Sequence, residues 1–280
     1  MHPINMQEVE AWNSGIDKQA LIDRCKHFVL DMDGTFYLGD EIIEGSLDFI
    51  AQVQKTGRDF LFFTNNSSKN ADDYRKKLAA MHCPITDWQI MTSGDVTIAY
   101  ISTHYAGKSV YVVGTQALIR SFTQAGIRLT DDQPDIVVLG FDQSLTYEKI
   151  TKSCTFIRQG AVYLATHPDI NCPVKGGFIP DVGSFIAMIA LSTGRNPDLI
   201  LGKPNGTTVD MIIKRTGWRR EHIAFVGDRL YTDVATGVNN GAHGLLVLSG
   251  ESDMRTVRES PVKADAVFID LKEISTYLRS

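Results

Sequence analysis

A chain of 280 residues has room for one large domain or two modest ones. Its hydrophobic fraction of 43% and charged fraction of 22% are those of a soluble globular protein, and a formal net charge of −5 excludes general attraction to nucleic acid or to an anionic membrane. The four cysteines, Cys25, Cys83, Cys154 and Cys172, make no Cys-x-x-Cys pair, and no histidine stands at zinc-ligand spacing beside one. They read as reduced thiols in a cytoplasmic protein. No apolar run reaches transmembrane length. The acidic N-terminus lacks the continuous apolar stretch of a secretory signal and reads as a leader or a short helix at the edge of the core.

Apolar runs bounded by turn residues occur at 27–32, 59–63, 109–113, 135–139, 161–165, 223–227, 244–248 and 266–269. Between most of them lie stretches with helical periodicity, at 46–56, 69–81, 94–105, 116–125, 147–159, 182–193, 205–216 and 232–239. This alternation predicts an α/β protein with parallel sheets and right-handed crossovers. The polar segment 82–87 reads as a connector, and 176–181 as a return loop. The stretch between them has its own strand–helix alternation, enough for an inserted domain at 85–185 within a core made of 1–84 and 186–280. Trp12, Trp88 and Trp218 are dispersed and predict no stacking platform.

In open parallel sheets, ligands bind at the carboxyl ends of the strands. After the first apolar run come Asp31 and Asp33, within Asp31-Met32-Asp33-Gly34-Thr35. Two carboxylates held this close raise each other's proton affinity, an arrangement suited to a cation or to proton transfer. After the run at 59–63 come Thr64 and Asn65, after Leu199-Ile200-Leu201 comes Gly202-Lys203-Pro204, and after the run at 223–227 come Asp228, Arg229 and, a turn later, Asp233. Each piece alone has an ordinary structural explanation. Asp-x-Asp-Gly resembles a calcium turn, although no glutamate completes an EF-hand. Thr64 and Asn65 suit a helix cap, and Gly-Lys-Pro suits a turn. In this order, each after an apolar run, they fit phosphoryl transfer.

Asp31 is placed to attack phosphorus, and Asp33 to protonate the leaving alcohol and then deprotonate water. One oxygen each from Asp31 and Asp228, with the backbone carbonyl of Asp33, suits Mg²⁺. Thr64 and Lys203 are phosphate ligands, and Asn65 either binds the phosphate or orients Asp33. Asp233 belongs beside the metal waters or Lys203.

These residues, in this order, resemble the haloacid dehalogenase (HAD) superfamily of aspartate-nucleophile phosphatases. DMDGT is similar to its first motif, Thr64 to its second, Lys203 to its third and GDRLYTD to its fourth. FFTNNSS, VYVVGTQALI, LATHPD, LGKPN and VGDRLYTDVATGVNNGAHGLLVLSG resemble the NagD-like, p-nitrophenyl-phosphatase-type subfamily IIA. The resemblance covers the chain from about residue 26 to its end. It implies a Rossmann-like core, a mobile C2-type α/β cap, Mg²⁺ dependence, an aspartyl-phosphate intermediate and hydrolysis of small phosphomonoesters. Sugar phosphates, nucleoside monophosphates, phosphoglycolate and aryl phosphates all fit, and members often dimerise through the cap. Asp33 favours phosphate chemistry over dehalogenation, since a halide leaves without a proton. The late α/β insertion argues against the phosphomutase branch.

The segment Thr166-His167-Pro168-Asp169 departs from the subfamily, where asparagine is usual at the histidine position. His167 and Asp169 are candidates for reading the leaving group. The alternative is a turn stabilised by Pro168, with His167 merely polar. Lys175 is a candidate for attracting a second anionic group. Two other activities fit the same fold: transfer of the phosphoryl group to an acceptor alcohol, and non-catalytic binding of a phospholigand by a regulator.

Overall fold

The computed structural model describes residues 4–174 and 176–278. Lys175 and its expected role lie outside the described residues. The chain forms two compact units. The first is built from residues up to Phe63, from Arg75–Met91 and from Ile212 onward; the second is built from Thr64–Tyr74 and Thr92–Met211.

The strands, in chain order, are β1 (His27–Leu30), β2 (Tyr37–Leu38), β3 (Glu41–Ile42), β4 (Asp59–Thr64), β5 (Ile90–Thr92), β6 (Val110–Val113), β7 (Ile136–Leu139), β8 (Val162–Ala165), β9 (Asn171–Val174), β10 (Gly177–Pro180), β11 (Leu199–Ile200), β12 (Ile223–Gly227), β13 (His243–Val247) and β14 (Ala266–Phe268). The first unit is organised on a six-stranded sheet in the order β14-β13-β12-β1-β4-β5. β1 lies between β12 and β4, parallel to both, with Leu30 opposite Val226 and Phe62. These strands are apolar almost without interruption, as sheets covered on both faces require. Phe28, Leu30, Phe60, Phe62 and Val226 are buried.

Of the two expectations for the N-terminal segment, the described residues show the short helix. A helix at Met6–Trp12 buries Val9 among Leu246, Val257 and Val267, with Trp12 partly buried against the same cluster. Asn13 fixes it in place: its side chain donates to the carbonyls of Val9 and Val267 and accepts from the Val267 N–H. These bonds satisfy backbone groups of β14, a strand at the edge of the sheet. Trp88 and Trp218, expected to be apart, meet edge to face at 6.2 Å, and Trp218 stacks on His27 at 4.4 Å.

The second unit carries a four-stranded sheet, β11-β8-β7-β6, whose pairings are parallel. Its core gathers Val113, Val137, Leu139, Phe141, Phe156, Ile157 and Tyr163 against Val182 and Ile189 of the helix Val182–Thr193. The return loop expected at 176–181 is instead one arm of an antiparallel hairpin, β9 with β10, pairing Phe178 with Pro173. Gly176, at φ +89°, lies in its turn, and Gly177, at φ +158°, opens β10 opposite Val174. The two prolines and two glycines conceal this hairpin from pattern reading.

Among the described residues, no helix is long and apolar enough to cross a membrane. All four cysteines are free thiols. Burial pushes Cys25 up to about 12 and Cys83 up to about 11, so neither is a nucleophile near neutral pH.

Candidate active site

In the first unit, Asp31 directly follows β1, and its N–H continues the sheet by donating to Val226 at 2.9 Å. Asp228 directly follows β12. A π-helical turn at Leu230–Val234 brings Asp233 back toward this strand end, where it accepts the Arg229 N–H at 3.1 Å. Ligand oxygens of Asp31, Asp228 and Asp233 all lie within 4.8 Å of one another. The fold thus brings Asp31 and Asp228 together with Asp233, which the sequence placed beside the metal waters or Lys203.

Asp228 is only 2% exposed. Burial, and then the charges of Asp31 and Asp233, push its carboxyl up to about 8. A cluster this costly in negative charge has the character of a cation site. Its donors are hard carboxylate oxygens, without sulfur or imidazole, which suits Mg²⁺ rather than zinc. Gly34 is needed beside it: its φ is +87°, and any Cβ there would run into the Asp228 carboxylate.

The segment after β13 completes the wall around Asp228. Glu251 N–H donates to Asp228 Oδ2 at 2.7 Å, Ser252 N–H to the Asp228 carbonyl at 3.2 Å, and Ser249 Oγ to the Gly34 carbonyl at 2.8 Å. Thr35 Oγ1 reaches Asp228 Oδ1 at 3.4 Å. Sequence reading missed Ser249-Gly250-Glu251-Ser252, although they too follow an apolar run. Arg229 was named at this strand end but given no role. Burial opposes its charge, but Asp31, Asp228 and Glu251 together outweigh that and hold its guanidinium protonated well above the ordinary range. Its Nε lies 2.9 Å from Glu251 Oε2.

Asp33 is exposed, on the loop that follows β1. Its carboxylate accepts the Gly39 N–H at 3.2 Å, and the turn is closed by Gly34 N–H donating to the Tyr37 carbonyl at 2.8 Å.

The second unit holds the remaining candidates. Thr64, half-buried, accepts the Asn66 N–H on Oγ1 at 3.2 Å, and its hydroxyl hydrogen remains available to an anion. Lys203 is 3% exposed and Asn65 is 6% exposed. The two are joined directly: Lys203 N–H donates to Asn65 Oδ1 at 2.8 Å, and Asn65 Nδ2 donates to the Lys203 carbonyl at 3.0 Å.

His167 is wholly buried. Its Nε2 lies 2.9 Å from Asp181 Oδ1 and its Nδ1 lies 2.9 Å from Thr166 Oγ1. Asp181 also caps the helix Val182–Thr193 by accepting the Val182 N–H at 2.6 Å. Asp169 is half-buried and accepts from Asn65 Nδ2 at 3.2 Å. His167, Asp169 and Asp181 form a second group whose ligand atoms lie within 4.8 Å of one another.

The profile of the haloacid dehalogenase-like hydrolases matches residues 28–128, and a HAD-hydrolase-like profile matches 200–274. The acid sugar phosphatase of Staphylococcus aureus (strain MRSA252) is 34% identical over 249 residues, which are 89% of this chain and 96% of that protein. The solved 4-nitrophenylphosphatase of Thermotoga maritima superposes with a TM-score of 0.90 at 44% identity, covering 92% of this chain and 99% of that one. The glycerol phosphate phosphatase of Mycobacterium tuberculosis, solved in complex with magnesium, gives a TM-score of 0.83 at 27% identity, covering 91% of this chain and 77% of that one. A parallel-sheet core, carboxylates at its strand ends and relatives matched over nearly their whole length place the chain among the haloacid dehalogenase-like hydrolases, in their NagD-like, p-nitrophenyl-phosphatase-type branch.

Proposed function

We propose that the protein is a Mg²⁺-dependent phosphatase that hydrolyses small phosphomonoesters through an aspartyl-phosphate on Asp31. The observation that carries this reading is the cluster of half-buried Asp31 and buried Asp228, at the ends of the neighbouring parallel strands β1 and β12, with buried Asp233. Substrates named for its relatives, sugar phosphates and glycerol phosphate, point to a small phosphorylated polyol or sugar, with aryl phosphates as convenient surrogates.

In this mechanism an Asp31 oxygen attacks phosphorus in line as the ester oxygen departs. Asp33 gives its proton to that oxygen. Asp33, now ionised, takes a proton from water, and the resulting hydroxide releases phosphate and regenerates Asp31. Thr64 and Lys203 are assigned to the non-bridging phosphate oxygens, where a hydroxyl donor and a fixed positive charge stabilise the transition state. Asp31, Asp228 and the Asp33 carbonyl would hold Mg²⁺, with Asp233 beside them; the bound ion would neutralise the repulsion between carboxylate and substrate.

The specificity-bearing cap is assigned to 85–185 and the core to 1–84 and 186–280. The cap's first boundary falls within Arg75–Met91 of the first compact unit and its second within Thr92–Met211 of the second, which also includes the loops bearing Thr64 and Lys203. Within the cap, Asp169 is the candidate for meeting the leaving group. Buried His167 serves by holding the loop through Asp181. A cytoplasmic location and a homodimer complete the reading.

The test is release of phosphate from p-nitrophenyl phosphate, with and without Mg²⁺, followed by a panel of sugar, polyol and nucleoside phosphates. Release that depends on the metal is expected. No release with any divalent cation would overturn the proposal in favour of a phospholigand-binding protein, and phosphate appearing on an added alcohol would favour a transferase.

A further inference from the structure

The side-chain amide of Asn65 has no N–H left for a substrate. One hydrogen of its Nδ2 goes to the Lys203 carbonyl at 3.0 Å, and the other faces the Asp169 carboxylate, 3.2 Å from Oδ1 and 3.4 Å from Oδ2. Its Oδ1 takes the Lys203 N–H at 2.8 Å, which fixes which end of the amide is oxygen. The backbone carbonyl of Asn65 accepts the hydroxyl of buried Ser93. The packing leaves no slack. Gly202, at φ +69°, stands where a Cβ would be 2.6 Å from the Thr166 carbonyl and 2.7 Å from Asn65 Oδ1. Asp169 is itself held, since its carbonyl accepts the Gly183 N–H at 2.8 Å.

We infer that Asn65 is a positioning residue for Lys203, and that Asp169 sets the orientation of Asn65 by accepting its second amide hydrogen. The side-chain amide binds both backbone groups of Lys203, as one strand binds another, and so determines where the lysine side chain starts. Asp169 then acts on the phosphate end of the site through Asn65, in addition to any contact with the leaving group. This inference rests on the phosphatase reading.

The test is a polarity swap. Asn65→Asp removes both N–H donors and sets two carboxylates against each other. A displaced lysine should lower kcat/KM on the order of 10²-fold, the scale of a misplacement of about 1 Å. Adding Asp169→Asn returns a donor on the opposite side of the same hydrogen bond, and the double variant should regain about tenfold of that loss. Asp169→Ala, in a half-buried loop, supplies an arm that does not depend on the folding of an Asn65 variant. It should lower kcat and raise Ki for inorganic phosphate several-fold. Inorganic phosphate has no leaving group, so a residue that only read the leaving group would leave that Ki unmoved. The inference is overturned if wild type is active but the double variant is no better than Asn65→Asp, or if Asp169→Ala leaves both kcat and the phosphate Ki unchanged. A wild type that releases no phosphate overturns the phosphatase reading instead.

Discussion

Two clusters in this molecule meet the same spacing. Asp31, Asp228 and Asp233 in the first unit, and His167, Asp169 and Asp181 in the second, each bring their ligand atoms within 4.8 Å. Their chemistry differs. In the second, the imidazole Nε2 pairs with Asp181, Asp181 takes the Val182 N–H, and Asp169 takes the Asn65 amide. Acids there meet donors, as buried polar groups must. In the first, three acids meet one another, and Asp228 is pushed up to about 8 by burial and its two neighbours. Proximity of ligand atoms is common to both; the mutual repulsion of carboxylates that adds to burial in raising Asp228 distinguishes the one suited to a cation.

Breaking the first cluster should have the largest effect. Asp31→Asn removes the proposed nucleophile while keeping size and strand-end geometry. Turnover should fall on the order of 10⁴-fold or more, the scale of losing a nucleophile, with circular dichroism and melting temperature close to wild type. Retention of even a tenth of the activity would remove Asp31 from that role. Asp33→Asn should cost roughly 10²- to 10⁴-fold, the range of general acid–base catalysis. The loss should be smaller for p-nitrophenyl phosphate than for an alkyl phosphate, because nitrophenolate leaves without a proton. Equal losses on both would argue against proton transfer by Asp33.

A third measurement sets the clusters directly against each other. A cation that binds only the folded protein adds roughly 2.7 kcal/mol of stability at about 100 times its Kd. Mg²⁺ should therefore raise the melting temperature of wild type and of Asp181→Asn, but not that of Asp228→Asn. A shift that survived Asp228→Asn and vanished with Asp181→Asn would reverse the assignment of the two clusters.

Much of the first cluster was legible because its signals are local. Asp31 and Asp228 each follow an apolar run, and in a parallel sheet such positions share one edge. Gly34, four residues after β1, belongs to the same local motif. The second cluster was legible only in part. His167 and Asp169 stood out as strand-end residues, but Asp181 lies 14 residues beyond His167 and meets it only after the β9–β10 hairpin folds back. The hairpin itself was hidden by Pro173, Pro180 and the Gly176-Gly177 pair, which lower strand propensity. Asn65 was found, but its partners were not, because Asp169 and Lys203 lie 104 and 138 residues away. Short helices at Lys18–Arg24, Met254–Glu259 and Leu271–Ser275 lack enough turns to show a period, although Asp17, Asp253 and Asp270 cap them in the ordinary way.

The smallest effect separates a structural pair from a functional one. Asp181→Ala leaves His167 Nε2 without its partner in a site that excludes water, and it uncaps the Val182–Thr193 helix. An orphaned buried polar group costs about 1–3 kcal/mol, and loss of a cap about 1 kcal/mol. Both should appear as a lower urea midpoint with an unchanged slope. Asp181→Asn keeps an oxygen for either donor and should lose less. If the pair only holds the 166–169 loop, turnover should fall no more than Asp169→Ala lowers it, and the Mg²⁺-dependent rise in melting temperature should be the same size as in wild type. A loss of turnover approaching that of Asp31→Asn, at unchanged stability, would instead bring His167 and Asp181 into the chemistry and dissolve the contrast between the two clusters.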